Sequence, residues 1–267
     1  MTFSQAVALG ALQGATEFLP VSSSGHLAIA QYYLSGFSQP GILFDVLLHL
    51  GTMVAVLIYF RQDVTALMAS PWNRTPEGEK DRRMLWLLIL GSVPTAIIGL
   101  AGKDLATSLF HNMIVVAICL LVTGGLLAIS ERIRARSQGR KDLSIKDALV
   151  TGVLQGVAIL PGISRSGATI AGLLMRGVNG ETAARFSFLL ALPAVFGAAL
   201  LSLKDLQSVP AGELPLYAAG ACCSMLVGLF SIHFLMAIIR RRRLFLFALY
   251  CWAVGTVVLI LSLSQTG

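Results

Sequence analysis

The chain has 267 residues, 56% of them hydrophobic and only 12% charged, with a mean hydropathy of +0.79 and a formal net charge of +7. That composition excludes a water-soluble globule of this length and points to a multi-span membrane protein. The positive balance does not point to nucleic acid, because the basic residues cluster at the ends of apolar stretches, where membrane topology explains them.

The first predicted element, 4–34, is apolar but broken by the motif Leu-Pro-Val-Ser-Ser-Ser-Gly-His at 19–26. It reads as a helix, a loop and a second helix that enter and leave the bilayer on one side. A cleavable signal peptide is not expected, since the segment lacks a basic n-region and its polar motif interrupts the apolar run. An ionisable residue at membrane depth costs about 2.5–3.5 kcal/mol on insertion scales, so Glu17 and His26 mark either a function or a buried partner. Gln13 and Glu17 are four apart and share one helix face. A hard divalent cation takes one or two such oxygens plus substrate phosphates, so Mg²⁺ or Ca²⁺ is expected at Glu17 and Gln13. The competing readings of Glu17 are a buried ion pair with Arg165 and the orienting of water or His26. His26 suits proton transfer, and the nucleophile is either Ser23, which His26 could activate, or a water held by Glu17. Ser22, Ser24 and Gly25 complete the loop as phosphate-binding positions.

Three spans follow, at 42–60, 84–101 and 113–130, each long enough to cross a hydrocarbon core of about 30 Å. Asp45 and His49 sit four apart in the first and read as a structural hydrogen-bond pair. The element at 148–180 is again broken, by Leu-Pro-Gly-Ile-Ser-Arg-Ser-Gly at 160–167, and its Gly152-x-Leu-Gln-Gly156 repeats Gly10-x-Leu-Gln-Gly14 at an offset of 142. Arg165 can fork onto two phosphate oxygens, with Ser164, Ser166 and Thr169 as further donors and Gly167 leaving the amides of a half-helix open. At the same offset Glu17 matches Ile159, Ser23 matches Arg165 and His26 matches Ala168. One copy supplies acid and imidazole, the other a guanidinium, which suits a composite anion-binding and hydrolytic site. The bland alternative is that Ser and Gly merely let broken helices pack closely. Spans at 186–203, 216–239 and 244–263 complete the chain. Cys119, Cys222, Cys223 and Cys251 all fall within spans, lack metal-ligand spacing and predict no disulfide.

Fifteen of the 20 Lys and Arg residues fall in three loops, around 61–83, 132–146 and 240–243, with only Lys103 and Lys204 in the loops between. Basic loops stay cytoplasmic, so both termini are expected outside. Three spans per half then invert the second half relative to the first. The fold expected is an all-α integral membrane protein, one domain over 1–267, built as an inverted-topology repeat. Residues 1–133 form the first repeat and 134–267 the second, each one re-entrant helix-loop-helix plus three transmembrane helices, six full spans in total. Phe44, Leu47, Leu48 and Leu50 recur as Phe186, Leu189, Leu190 and Leu192, and Gly91, Gly99 and Leu100 as Gly220, Gly228 and Leu229.

Gln13-x-x-x-Glu17 followed by Phe18-Leu-Pro-Val-Ser-Ser-Ser-Gly-His26, and Pro161-Gly-Ile-Ser-Arg-Ser-Gly-Ala-Thr169, resemble the two signatures of the bacterial undecaprenyl pyrophosphate phosphatase family, also called the bacitracin-resistance protein family. The resemblance covers the whole chain. It departs at Gln13, where many members carry a second glutamate, which weakens metal binding through two carboxylates. The resemblance implies hydrolysis of undecaprenyl pyrophosphate to the monophosphate and inorganic phosphate. That reaction recycles the lipid carrier for cell-wall synthesis and confers bacitracin resistance, at the periplasmic side of the bacterial plasma membrane. By the same carry-over Glu17, Ser23, His26, Ser164, Arg165 and Thr169 match family functional positions. Expected partners are a polyprenyl pyrophosphate lipid, the bilayer and a second copy of the chain as a homodimer. The rival is a lipid-phosphate flippase or transporter using the same inverted-repeat site. Type 2 phosphatidic acid phosphatases need a further His after the Ser-Arg piece, and Ile170 to Arg176 contains none.

Overall fold

The computed structural model describes residues 1–34, 36, 43–134, 139–202, 211–241 and 243–266, and within them the chain is α-helical with no strand. Position 42 and residues Arg136, Lys204 and Arg242, which entered the topology reading, lie outside the described residues. The helices in chain order are α1 (Phe3–Glu17), α2 (Ser23–Tyr33), α3 (Leu43–Tyr59), α4 (Arg61–Ala69), α5 (Pro76–Leu109), α6 (Met113–Arg134), α7 (Ile145–Val157), α8 (Arg165–Met175), α9 (Gly180–Ser202), α10 (Leu214–Arg240) and α11 (Phe245–Thr266).

Both broken elements form as expected, α1–α2 and α7–α8, each arm too short to cross a bilayer. Local chemistry sets their ends. Thr2 and Ser144 build capping boxes with Gln5 and Asp147, and Ser22 and Ser164 cap the second arms by accepting the Gly25 and Gly167 amides. Five helices are long and apolar enough to span: α5, α6, α9, α10 and α11. The expected span 42–60 is the shorter α3, which reaches span length only with α4, bent 78° from it. The expected 84–101 grows to α5, 34 residues, because Thr75 caps the Gly78 amide and Pro76 fits the first helical turn. At 1.5 Å per residue α5 is about 50 Å long and outruns the hydrocarbon.

The first arm of each hairpin packs chiefly against a span from the other half of the chain, α1 on α10 and α7 on α5. Both crossings rest on glycine pairs. A side-chain carbon added at Gly10 would strike the Gly220 carbonyl, and one added at Gly152 would strike the Gly91 carbonyl. Apolar faces such as those of Ile97, Leu200, Phe230 and Ile260 stay exposed, as lipid-facing side chains do.

Contacts sort the ends of the bundle. At one end Arg83 donates to the Leu143 carbonyl, Arg185 pairs with Asp63, Arg240 donates to Glu181 and Asp147 receives both Arg140 and Arg176. At the other, Met1 meets Glu213, Gln31 donates to Asp45 and Tyr32 donates to Gln265. The basic loops thus gather together, and both termini lie away from them.

Candidate functional site

The two hairpin tips touch. Gly25 lies so close to Gly162 that an added carbon would sit 3.0 Å from its Cα, and Ser166 donates to the Leu19 carbonyl at 3.1 Å. Each tip is held from behind by a span. Thr123 of α6 donates to the Gly162 carbonyl and accepts the Ser164 amide, while Cys251 of α11 makes a weaker contact with the Pro20 carbonyl.

Glu17, only 7% exposed, ends α1 at this junction and is the hub of the site. Its Oε1 receives the Arg165 guanidinium from the opposite hairpin. Its Oε2 accepts from the Ser23 hydroxyl at 2.5 Å and from Gln13 Nε2 at 2.8 Å. A carboxylate with these donors and an adjacent guanidinium is a buried charge whose cost is met by pairing. The expected acid and guanidinium therefore meet directly. A cleft beside them is lined by Glu17, Arg165, Ser166 and Ser187 on its polar wall and by Phe18, Met53 and Phe188 on its apolar one.

The imidazole beside this acid is not the expected one. His49 Nδ1 lies 3.1 Å from Glu17 Oε2 and 2.6 Å from Gln13 Nε2, so the reading of His49 as a structural partner of Asp45 is corrected. Asp45 instead accepts from Gln31 at 2.6 Å. His26 turns elsewhere: Nδ1 is 2.8 Å from the Ser22 carbonyl and Nε2 is 2.8 Å from the Tyr250 hydroxyl.

The remaining loop residues divide by task. Ser22 and Ser164 spend their oxygens as caps, with Ser24 and Ser166 3.3 Å from them. Thr169 donates back to the Arg165 carbonyl at 2.7 Å and shares a 2.5 Å contact with Ser187, fixing the turn that carries the guanidinium. Sequence reasoning missed Thr123, Ser187 and Tyr250, which lie in spans whose composition gave no signal. For His49 a signal existed: the 142 offset pairs it with Ala191, which lines the same cleft.

The metal expectation meets a mixed donor set. Gln13 Oε1 is fully buried with no protein partner, on the amide whose Nε2 donates to Glu17, and a hard cation takes one or two protein oxygens when phosphates supply the rest. Among the described residues no three His, Cys, Asp or Glu side chains gather to hold an ion by themselves.

Comparison with known proteins then identifies relatives. A family model described as "Bacitracin resistance protein BacA" matches residues 6–257. A protein named undecaprenyl-diphosphatase from Syntrophotalea carbinolica is 57% identical over 262 residues, covering 98% of this chain and 100% of the relative. Proteins of the same name from Carboxydothermus hydrogenoformans and Methanosphaera stadtmanae are 44% identical over 265 residues and 41% over 270, covering 97% and 96% of this chain and 97% of each relative.

Proposed function

The chain belongs to the bacitracin resistance protein BacA family, and from that premise we infer that it is an undecaprenyl-diphosphatase. It hydrolyses undecaprenyl diphosphate to undecaprenyl phosphate and inorganic phosphate within a multi-pass membrane domain. One observation carries the assignment to this site: Glu17 touches the Ser23 hydroxyl of its own hairpin and the Arg165 guanidinium of the other.

The mechanism follows from an exchange of anions. Without substrate the Glu17 carboxylate occupies the fork of Arg165, and an arriving diphosphate competes for that fork with two oxygens and more charge. Arg165 then serves the phosphate, and Glu17 is left with Ser23, Gln13 and His49. The Ser23 proton passes to Glu17 Oε2 as its oxygen attacks the terminal phosphorus, and the bond to the bridging oxygen breaks to release undecaprenyl phosphate. Water then cleaves the phosphoserine: His26 takes one of its protons and passes it to the departing inorganic phosphate, while Glu17 returns its proton to the Ser23 oxygen, restoring the serine and the carboxylate. Arg165 and the amides that open α2 and α8 stabilise charge throughout, which supplies most of the catalysis in phosphoryl transfer. Mg²⁺ or Ca²⁺, held by Glu17 and the free Gln13 Oε1 together with the phosphates, would neutralise charge on the departing group.

The topology we propose is an inverted repeat of two hairpin-plus-three-span halves, 1–133 and 134–267, with α3 and α4 as the sixth crossing. The reciprocal glycine crossings of α1 on α10 and α7 on α5 support it, as does the start of α1 and α7 at opposite ends of the bundle. The gathering of the basic loops supports a cytoplasmic end there, with termini and site opening periplasmic. All groups used come from one chain, so the reading does not call on a second copy. Purified protein should release phosphate from undecaprenyl diphosphate, lose the activity with chelator and lose it in Arg165→Ala. A wild type that moves the lipid between leaflets without releasing phosphate would overturn it in favour of a flippase.

A further inference from the structure

Tyr250 lies in the last span, 224 residues from His26, yet its hydroxyl is 2.8 Å from His26 Nε2. The two rings stack with centroids 5.6 Å apart and planes within 7°. Next to it, Cys251 contacts the Pro20 carbonyl, so the same turn of α11 braces the loop that carries His26. The other ring nitrogen settles the tautomer. Nδ1 faces the Ser22 carbonyl oxygen at 2.8 Å, and a carbonyl oxygen only accepts, so Nδ1 carries a hydrogen whether the ring is neutral or charged. Ser22 is the one non-glycine residue with positive φ among the described residues, at 70°, a costly backbone state held where its carbonyl meets the ring. In the neutral ring Nε2 is then bare, and the hydrogen between it and Tyr250 is the phenol's.

Resting on the phosphatase reading, we propose that Tyr250 is a positioning residue for His26. The phenol, supplied by the half of the chain that lacks the histidine, holds the ring with Nε2 as its working nitrogen. It yields that nitrogen to a substrate or product oxygen during turnover. Nδ1 cannot do this work, because Ser22 occupies it. Tyr250 is 44% exposed, so replacing it does not empty a core position.

Tyr250→Phe keeps the ring and its stacking but deletes the donor. Its kcat should fall roughly five- to tenfold with KM within about twofold, the size of one lost hydrogen bond. In a His26→Ala background the same substitution should cost nothing further, since its effect runs through the imidazole. A second arm does not need turnover. In ¹⁵N-histidine-labelled protein, with His26 assigned by its loss in His26→Gln, the Nε2 resonance should move in Tyr250→Phe toward the free-nitrogen position while Nδ1 stays. Fluorotyrosine labelling, which strengthens the phenol as a donor without altering packing, should move Nε2 the opposite way. An unchanged kcat, an equal loss in the His26→Ala background or a stationary Nε2 resonance would each overturn the proposal. If wild type released no phosphate while the resonances behaved as described, the phosphatase reading would fail and the tautomer assignment would stand.

Discussion

The two hairpins share a backbone plan and differ in what they bury. In the first, Gln13 turns its amide to Glu17 and His49; in the second, the matching Gln155 donates to Thr95 and to the Leu190 carbonyl. Behind the first tip stands Cys251, a weak donor, and behind the second Thr123, which both donates and accepts. At the base of the second, Asp147 binds Ser144, Arg140 and Arg176, while at the base of the first Thr2 and Gln5 form a capping box and Met1 meets Glu213. On the proposed duplication, the crossings are kept while the buried polar positions diverge. The first hairpin is then the carrier of the proposed reacting groups, and the second a rigid mount for one guanidinium.

The sharpest way to break that division is to remove the contact joining the two. Arg165→Ala and Glu17→Ala should each lower kcat/KM by about a thousandfold or more, because the first deletes the cation that binds the reacting phosphate, the second deletes the base that takes the Ser23 proton, and each strands its partner. Arg165→Lys should recover little, since an ammonium cannot fork. Phosphate release, normalised to monodisperse protein, checks both. Recovery of more than a tenth of wild-type activity in Arg165→Lys would mean that charge alone, not the fork, is used.

Next in size is Ser23→Ala against a serine of the second hairpin's tip, Ser166→Ala. Loss of Ser23 should cost about a hundredfold or more if its oxygen attacks phosphorus, and brief incubation with terminally ³²P-labelled substrate should label wild type but not the variant. Ser166 donates to the Leu19 carbonyl and lies 3.3 Å from the Ser164 hydroxyl in the resting protein, neither of them a reacting oxygen, so its loss should cost no more than about tenfold. Equal losses at the two serines would make Ser23 another phosphate clamp.

Much of this architecture was legible in the sequence. The Ser-Gly breaks, the 142 offset and the loop charges anticipate two hairpins, their meeting tips and the Glu17–Arg165 contact, because breaks, repeats and charge bias are local signals. Helix ends were less legible: α5 begins at Pro76 and α3 bends into α4, since capping and bending depend on neighbours that composition does not reveal. His49 was visible but assigned to Asp45, the partner at helical spacing. Its actual contact lies 36 residues away, across a packing that only three dimensions supply.

His49 is the third test of the division, since the second half carries Ala191 at its place. His49→Ala should lower kcat roughly tenfold by loosening Glu17, and His49→Gln, which can still donate to the carboxylate, should restore most of it. Thermal stability should hardly change, because the ring is only part-buried, its side chain 22% exposed. If both variants lose activity equally, the imidazole itself is needed.

The smallest effect on turnover is expected at the mount. Asp147 lies outside the membrane spans, where burial pushes its carboxyl up but the Ser144 amide and hydroxyl, with Arg140 and Arg176, outweigh that and hold it to about 2, below the ordinary 3.8. A carboxyl depressed by folding contributes stability that is fully present above its unfolded pKa and is lost as pH falls through the folded one. Asp147→Asn should therefore lower the melting temperature by roughly 3 °C, by a constant amount between about pH 5 and pH 8, with the gap to wild type closing only below about pH 4. Its kcat should stay within about twofold, because the clasp lies a full α7 arm, about 20 Å, from the tip. A loss of kcat at unchanged melting temperature would show that the second hairpin must move during turnover, and that its rigidity is not its contribution.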